Sequence, residues 1–398
     1  MLAIWQEWLE FAIRWLHVVT GIAWIGSSFY FIALDLGLRK PPGLPPGVSG
    51  ESWQVHGGGF YQLRKFSVAP DDLPDHLIWF KWESYATWLS GFALMCVVYY
   101  LGAELFLIDA AVLPLEPWQA VCLSLAVLAG GWIVYDGLCR SPLGANSAAL
   151  GLLLLALSVA LSYGLTHLFS GRGAYIHMGA LTATIMTANV FLVIIPNQKK
   201  VVADLRAGRT PDPALGEAAK LRSTHNNYLT LPVIFLMISN HYPLAFATRY
   251  NWLIVALVVL IGILIRHYFN TVHAGGGQKL WTWFVAAALF VVIVWLSTLG
   301  PANGPPPEAS SGAVTLAEAH EIVSTRCSMC HAAEPLWDGV AAPPKGVVLE
   351  SEEDVARHAR QIFAQAGVSS AMPPGNVSFM EPSERAALRS WFEGGATR

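Results

Sequence analysis

In the stretch WLHVVTGIAWIGSSFYFIALD, residues 15–35, only Asp35 at its end carries a formal charge. About 20 mainly apolar residues are enough for an α-helix to cross the hydrocarbon core of a bilayer. Further segments of this kind follow along the chain. We therefore predict an all-α bundle of eight transmembrane helices, at about 11–38, 77–105, 117–138, 146–169, 174–196, 224–246, 250–272 and 279–299.

The composition also indicates a membrane protein. Charged residues make up only 13% of the 398 positions, whereas soluble domains contain about 25%. Sixteen tryptophans suit the two boundaries between lipid and water, where this residue is enriched. The sequence shows neither a basic run nor a nucleic-acid-binding motif, so we expect membrane lipid and no nucleic acid among its partners.

The distribution of positive charge between the loops predicts the orientation. Loops on one side hold most of the Lys and Arg residues, whereas the opposite loops hold only Arg172 and Arg249. Positively charged loops stay in the cytoplasm. We therefore expect a multi-pass protein of a bacterial inner membrane, with its N-terminus and C-terminal region in the periplasm. The positive set is Arg39, Lys40, Arg64, Lys65, Arg140, Lys199, Lys200, Arg206, Arg209, Lys220, Arg222 and Lys279.

The chain divides into three predicted parts. Residues 1–299 form the membrane domain. Residues 300–312, GPANGPPPEASSG, have the Gly- and Pro-rich composition of a flexible linker. Residues 313–398 are polar and just long enough to fold as a domain of their own. We expect this last part to form a small all-α domain in the periplasm.

The pentapeptide CSMCH, from Cys327 to His331, is the C-x-x-C-H pattern that attaches c-type haem. The two thiols bond covalently to the haem vinyl groups, and the adjacent His331 binds the iron. We therefore expect one covalent haem c on Cys327 and Cys330. A redox-active or zinc-binding C-x-x-C is the alternative. Because covalent haem attachment takes place outside the cytoplasm, the motif agrees with the predicted orientation.

The residues around this motif are typical of a class I-type cytochrome c domain. The patterns TLAE at 315–318 and SEED at 351–354 predict two helix starts. Met372, in the string AMPPGN, is the expected second ligand of the haem c iron. A thioether opposite a histidine raises the reduction potential, which suits electron transfer. Met380 is the alternative ligand.

The membrane part contains an internal similarity. WLHVVTGIAWIGSSFYF in the first predicted span aligns with YIHMGALTATIMTANVF in the fifth, which brings His17 opposite His177. The alignment continues between the second and sixth spans, where Glu83 falls opposite His225. We predict a tandem repeat of two four-helix halves, which an even number of spans per half leaves in the same orientation.

His17 and His177 lie toward the predicted periplasmic side. Two histidines at matching depth could hold the iron of a non-covalent haem b between them. The alternative is that each imidazole only hydrogen-bonds to a backbone carbonyl. A haem b here would relay electrons between a cytoplasmic substrate site and the periplasmic haem c, about one hydrocarbon thickness or roughly 30 Å away.

A second group of polar residues lies toward the predicted cytoplasmic side. Ionisable groups inside membrane helices are costly and usually functional. This group suits a flat polar heterocycle or an anion, with Glu83 or His225 as the general base. The alternative is a polar network that only closes the helix ends. The predicted catalytic residues are Glu83, His225, Arg266 and His267, and the predicted substrate-binding residues are Asn226, Asn227 and Asn270.

Five strings resemble the bacterial membrane-bound cytochrome c urate oxidases. They are WLHVVTGIAWIGSSFYFIALD, IPNQKK, THNNYLTLPVIFLMISNHYP, IRHYFN and, after the haem motif, PPKGV. The resemblance extends over essentially the whole chain. It implies an oxidoreductase of urate catabolism that converts urate to 5-hydroxyisourate without releasing peroxide. It also implies that electrons pass to the haem c and on to a respiratory acceptor, such as a soluble cytochrome c or a terminal oxidase. It assigns no catalytic residues.

Two other functions are compatible with the residues. A membrane cytochrome that shuttles electrons from a partner dehydrogenase or a quinol would turn over no small molecule by itself. A transporter with an electron-transfer tail would move its substrate into sealed vesicles without oxidising it. Neither function accounts for the resemblance over the whole chain.

Overall fold

The computed structural model describes residues 2–68, 70, 73–302, 314–338 and 340–396. Within these ranges the protein is mostly helical and contains a two-stranded antiparallel sheet. The helices of the N-terminal part are α1 Leu2–Gly37, α2 Trp82–Leu94, α3 Ala103–Phe106, α4 Pro117–Arg140, α5 Ser147–Leu165, α6 Gly171–Ala188, α7 Ile195–Arg206, α8 Pro213–Ile238, α9 Pro243–Phe246, α10 Asn251–His273 and α11 Trp281–Ser297.

Helices occupy the positions of the predicted membrane segments. A π-helical segment, Met95–Tyr100, extends α2 toward α3, and a second, Asn189–Ile194, joins α6 to α7. In the part of the chain that the structure describes, five helical stretches are long and apolar enough to cross a membrane, whereas α11 is apolar but shorter. The protein is therefore a helical membrane protein, and the number of eight spans stays a prediction. The five stretches are Glu7–Gly37, Pro117–Arg140, Ser147–Leu165, Gly171–Arg206 and Asn251–His273.

The all-α prediction is wrong for the first long loop. Strands β1 (Val48–His56) and β2 (Gly59–Phe66) pair there as an antiparallel hairpin. Gly57 and Gly58 connect the strands with φ angles of 59° and 79°, a conformation that glycine adopts without steric penalty. Residues 56–59, HGGG, therefore form a hairpin turn.

The packing of the helices brings polar residues of distant segments together. α1 packs along α2, and α6 packs along α8, which in turn packs against α10. At the crossing of α8 and α10, a Cβ added to Gly262 would lie 2.6 Å from Cδ of Pro232. The first two helices of each predicted half are therefore neighbours, as a tandem repeat requires, but the repeat itself stays a prediction.

The C-terminal part has a hydrophobic core of its own, which includes Val323, Val355, Leu388 and Trp391. Both predicted helix starts carry a complete capping box, in which the N-cap and the third helical residue satisfy each other's backbone groups. Of the predicted linker, residues 300–302 are described and the rest lies outside the described ranges, so the domain boundaries stay a prediction. The helices are α12 Leu316–Arg326, α13 Ser328–His331, α14 Glu352–Arg357, α15 Ala359–Ile362 and α16 Pro382–Glu393.

Candidate functional site

The C-x-x-C-H motif lies at the junction of α12 and α13. Both cysteines of the motif are free thiols, as covalent attachment of haem requires. Nδ1 of His331 lies 2.9 Å from the carbonyl oxygen of Val347. We assign the proton to Nδ1, which then donates to that carbonyl and leaves Nε2 free to bind iron. These residues fit a covalently attached haem.

The two candidate methionines differ in their surroundings. Met372 is half-buried, and its backbone carbonyl accepts a hydrogen bond of 2.7 Å from Nη1 of Arg385. Met380 is only 3% exposed and belongs to the hydrophobic core of the C-terminal part. Core packing therefore accounts for Met380 without a metal. Met372 stays our predicted ligand.

Arg385 links the Met372 loop to the N-terminal part of the chain. Its guanidinium also lies 3.3 Å from Oδ1 of Asn376. Burial lowers the pKa of Arg385 to about 10, and the negative charge of Asp109 opposes this shift. Asp109 follows α3, so the two parts of the chain lie close enough here for their charges to interact.

The neighbouring histidines do not support a zinc site at this motif. Nε2 of His320 lies 2.9 Å from the carbonyl of Glu350, and Nδ1 of His358 lies 2.9 Å from the carbonyl of Asp354. Among the described residues, no group of three or more His, Cys, Asp or Glu side chains could hold a metal ion. A haem needs no such group, because its own nitrogens supply four ligands to the iron.

The second polar group centres on Asn227 in α8. Its Oδ1 accepts hydrogen bonds from Nε and Nη2 of Arg266, both at 3.2 Å, and from Nδ2 of Asn270 at 3.0 Å. Asn270 also accepts from Arg266 at 3.0 Å. Arg266 and Asn270 are four residues apart on α10, so one helix face supplies both donors. The structure therefore brings together three predicted site residues.

Two features of this cluster suit an anionic ligand. Arg266 is 5% exposed and stacks on the Phe29 ring, with its guanidinium carbon 4.1 Å from the ring centroid. In the described ranges, no carboxylate pairs with it. Nδ2 of Asn227 is buried and has no hydrogen-bond partner there either. A buried cation without a counter-ion and an unsatisfied amide donor both cost free energy, which a negatively charged acceptor would recover.

A cavity of about 720 Å³ adjoins the cluster, within the range typical of small-molecule sites. Asn227, His267 and Asn270 line it. The hairpin contributes Lys65, whose ammonium forms an ion pair of 2.7 Å with Asp35, and α8 contributes Lys220. The lining therefore holds more positive than negative groups, and His267 is placed to contact a ligand.

His225 and Asn226 belong to a separate network on another face of α8. The Tyr135 hydroxyl lies 2.8 Å from Nδ1 of His225 and accepts a hydrogen bond of 3.0 Å from Asn189. The same amide of Asn189 donates to Oδ1 of Asn226 at 2.8 Å. Neither His225 nor Asn226 lines the cavity. His225 and Asn226 therefore belong to a different hydrogen-bond network from Asn227, although the three residues are adjacent in the sequence. The predicted site residues do not form one cluster.

Glu83 lies apart from both networks. It occupies the first turn of α2, which packs on α1 and α6. Within the described ranges, its carboxylate forms neither a hydrogen bond nor an ion pair, and it does not line the cavity. The structure thus gives no contact between Glu83 and the other predicted catalytic residues.

His17 and His177 contact different helices. Nδ1 of His17 lies 3.0 Å from the Thr87 carbonyl of α2. Nδ1 of His177 lies 2.7 Å from the Gly173 carbonyl, and its Nε2 lies 2.6 Å from the Ser124 hydroxyl of α4. Both nitrogens of the fully buried His177 are therefore occupied by protein groups. This arrangement does not fit a haem b held between the two histidines.

Sequence reasoning misplaced Arg222 among the loop cations. It lies in α8, is 3% exposed and forms an ion pair of 2.6 Å with Asp136 of α4. Asp136 also pairs with Arg140 at 2.7 Å. The signal was present in the sequence, because Asp136 inside an apolar helix requires a buried partner.

The comparisons with known proteins agree with this description. The fold defines a helical membrane protein, and residues 3–297 match the family model described as Urate oxidase N-terminal. The chain belongs to this family, which indicates an oxidoreductase acting on urate. The match ends before the C-x-x-C-H motif. No curated protein and no solved structure matches the chain.

Proposed function

We propose that the protein oxidises urate to 5-hydroxyisourate in the cavity beside Asn227 and passes the electrons to a haem c bound by its C-terminal domain. The supporting observation is that one chain combines the family match over residues 3–297 with a haem-attachment motif beyond it. The urate anion and water give neutral 5-hydroxyisourate, one proton and two electrons. With an electron acceptor in the same chain, oxygen is not needed and peroxide is not formed.

The binding step follows from the charge of the site. Urate is an anion at neutral pH, with carbonyl oxygens and ring N–H groups around a flat ring. Asn227 and Asn270 line the cavity, and Arg266 lies behind them, so its guanidinium supplies positive charge to the site through these two amides. The Nδ2 group of Asn227, which has no hydrogen-bond partner among the described residues, can donate to a urate oxygen. Asn270 holds Arg266 in position through a hydrogen bond of 3.0 Å. The cluster thus selects an anionic, hydrogen-bonding ring.

His267 is the general base in this proposal. It lines the cavity, whereas the two bases favoured from the sequence, Glu83 and His225, do not. In the described part of the chain, its imidazole has no hydrogen-bond partner, so it can accept a proton from urate or from the attacking water. Asn226 then supports the fold of α8 and does not bind substrate.

The haem c, when bound, supplies a one-electron acceptor held by Cys327, Cys330, His331 and Met372. His267 lies 16 residues from Asn251 along α10, or about 24 Å at 1.5 Å per residue. Asn251 contacts the Phe246 carbonyl at the end of the bundle that faces the C-terminal domain. One transfer over this distance is slow, so an intermediate carrier is required. The observed contacts of His17 and His177 do not provide it.

The first experiment is to add urate to the purified protein without oxygen and to record the visible spectrum. We expect the absorption bands of the c-type haem to change to those of the reduced form, with two haems reduced per urate consumed. Reduction by dithionite but not by urate would contradict the proposal and would favour an electron shuttle. Uptake of unchanged urate into sealed vesicles would favour the transporter.

The His267→Asn variant tests the proposed base. Removal of a general base costs about 10²- to 10⁴-fold in rate, so we expect urate-driven haem reduction to slow by this factor with little change in KM. The matched control is His273→Asn, on the same helix and outside the cavity lining. A wild-type rate in His267→Asn would exclude His267 as the base.

The cellular setting is part of the same proposal. The basic loops favour a bacterial inner membrane with the C-terminal domain in the periplasm. A soluble periplasmic cytochrome c or a terminal oxidase would then reoxidise the haem.

A further inference from the structure

The loop that carries Met372 lies directly on the end of the helical bundle. The backbone N–H of Ser370 donates to the Ala247 carbonyl at 2.9 Å, and its hydroxyl lies 3.3 Å from the same oxygen. Ala302 donates to this carbonyl as well, at 3.2 Å. The Ala247 carbonyl oxygen, just after α9, therefore accepts hydrogen bonds from two segments: the start of the predicted linker and the loop that carries Met372.

Gly375 lies close against the backbone of the membrane domain. A Cβ at this position would lie 2.7 Å from the carbonyl oxygens of both Glu104 and Ile108. Its φ of 57° also disfavours any side chain. The contact is therefore made by backbone on both sides, and it requires glycine.

The contact continues into an apolar cluster. Ala371, next to Met372, is 6% exposed and packs in one cluster with Phe169 and Phe246 of the membrane domain. The Phe169 ring stacks on the His177 ring, with 4.5 Å between their centroids. The haem ligand loop is thus joined by continuous packing to the buried interior of the bundle.

We propose that haem c receives its electrons across this contact, and that Gly375 is the positioning residue that lets the haem loop approach the membrane domain. The inference rests on the proposed function. Each transfer takes one electron from the membrane domain to ferric haem c and gives ferrous haem c. Because each chain holds one haem c, that electron passes on, to an external acceptor or to the haem of another molecule, before the second one from the same urate arrives. The C-terminal domain stays bound to the helical bundle during electron transfer and does not move between the electron donor and the electron acceptor.

The first test is the variant Gly375→Ala. We expect hydrogen exchange in residues 104–109 to increase and urate-driven reduction of the haem to slow at least tenfold. The KM for urate, the haem spectrum, the reduction potential and reduction by ascorbate should not change. The control is Gly395→Ala in the same domain, which has a φ of 91° and nothing within 4 Å of the added Cβ. A wild-type rate of urate-driven reduction in Gly375→Ala would overturn the proposal.

The second test locks the contact in the full-length protein. The backbone hydrogen bond between residues 370 and 247 keeps the pair within disulfide range, so Ser370→Cys combined with Ala247→Cys should cross-link in high yield. We expect the cross-linked protein to keep urate-driven reduction and reoxidation. Loss of turnover that returns on reduction of the disulfide would show that the domain must move, and a low yield would deny the contact. If wild-type protein is not reduced by urate, the proposed function fails, while the cross-link yield still decides whether the domains dock.

Discussion

Arg266 is held by neutral groups only, which makes its charge available to a ligand. Arg266 donates to Asn227 and Asn270, which line the cavity. Charge-assisted hydrogen bonds contribute about 1.5–3 kcal/mol, so their loss in Arg266→Gln should misplace both amides and raise the KM for urate by about 10- to 100-fold. Arg266→Lys keeps the positive charge but loses the planar guanidinium group, so its KM for urate should lie between that of the wild type and that of Arg266→Gln. Steady-state kinetics with a dye or cytochrome c as acceptor would measure both variants.

The matched control for this prediction is Arg140→Gln. Arg140 pairs with Asp136 on the protein surface, and neither of these two residues lines the cavity, whereas the partners of Arg266 do. Its loss should leave the KM unchanged. If Arg266→Gln also bound urate with wild-type KM, the substrate site would have to lie elsewhere.

His177 leads to a prediction about haem content. Because protein groups occupy both of its ring nitrogens, we expect His177 to ligate no haem, so the haem that acid–acetone extracts should be the same in wild-type protein and in His177→Ala. Pyridine haemochrome spectra of the extracted and residual fractions would measure both. An extractable haem that disappears in His177→Ala and His17→Ala would restore the haem b relay and contradict the contacts seen here.

Asn226 and Asn227 contact different neighbours, and the sequence alone could not predict which. Both are polar residues inside a membrane segment, and that much identified them as candidates. Consecutive helical residues point about 100° apart, so which neighbour each one meets depends on how α4, α6 and α10 pack around α8. A single sequence does not give this packing.

At the scale of elements, the crossing of α8 and α10 positions the proposed site. These helices carry Asn227 and Arg266, and they approach closely where Gly262 meets Pro232. In Gly262→Ala the added Cβ would collide with the proline ring, so we expect a lower melting temperature and a higher KM for urate. Overpacking of this kind costs typically about 1–3 kcal/mol.

Gly151→Ala is the control for this crossing. Gly151 lies in α5, and nothing lies within 4 Å of a Cβ added there. Alanine favours helix over glycine by about 1 kcal/mol, so this variant should be neutral or slightly stabilised. An equal loss of stability in both variants would mean that the helix crossing is not the cause.

Element positions were largely predictable, because apolar runs and capping residues act locally. Helices lie at the predicted segments, and the helix starts at Thr315 and Ser351 have the expected capping boxes. The hairpin of β1 and β2 was not predicted. Its strands alternate apolar and polar residues only weakly, and the glycines of its turn fit an irregular loop equally well.

At the scale of the whole molecule, orientation can be tested without activity. The charge distribution predicts that the C-terminus is periplasmic and that the segment between α7 and α8 is cytoplasmic. Alkaline phosphatase fused after residue 398 should be active, and green fluorescent protein inserted at 207–212 should fluoresce. The reverse pattern would invert the topology and place the motif where haem c is not attached.

In the proposed electron path, the haem c and the urate site belong to one chain, and the haem loop contacts the bundle through Gly375. Geometry and not concentration would then set how often the two sites meet. A tethered partner is present at an effective concentration that reaches the millimolar range for short linkers. The first oxidation step is then independent of how many soluble carriers the compartment holds. When soluble carriers are scarce, the haem would remain reduced for longer. The concentration of these carriers would therefore affect only the rate at which the haem is reoxidised.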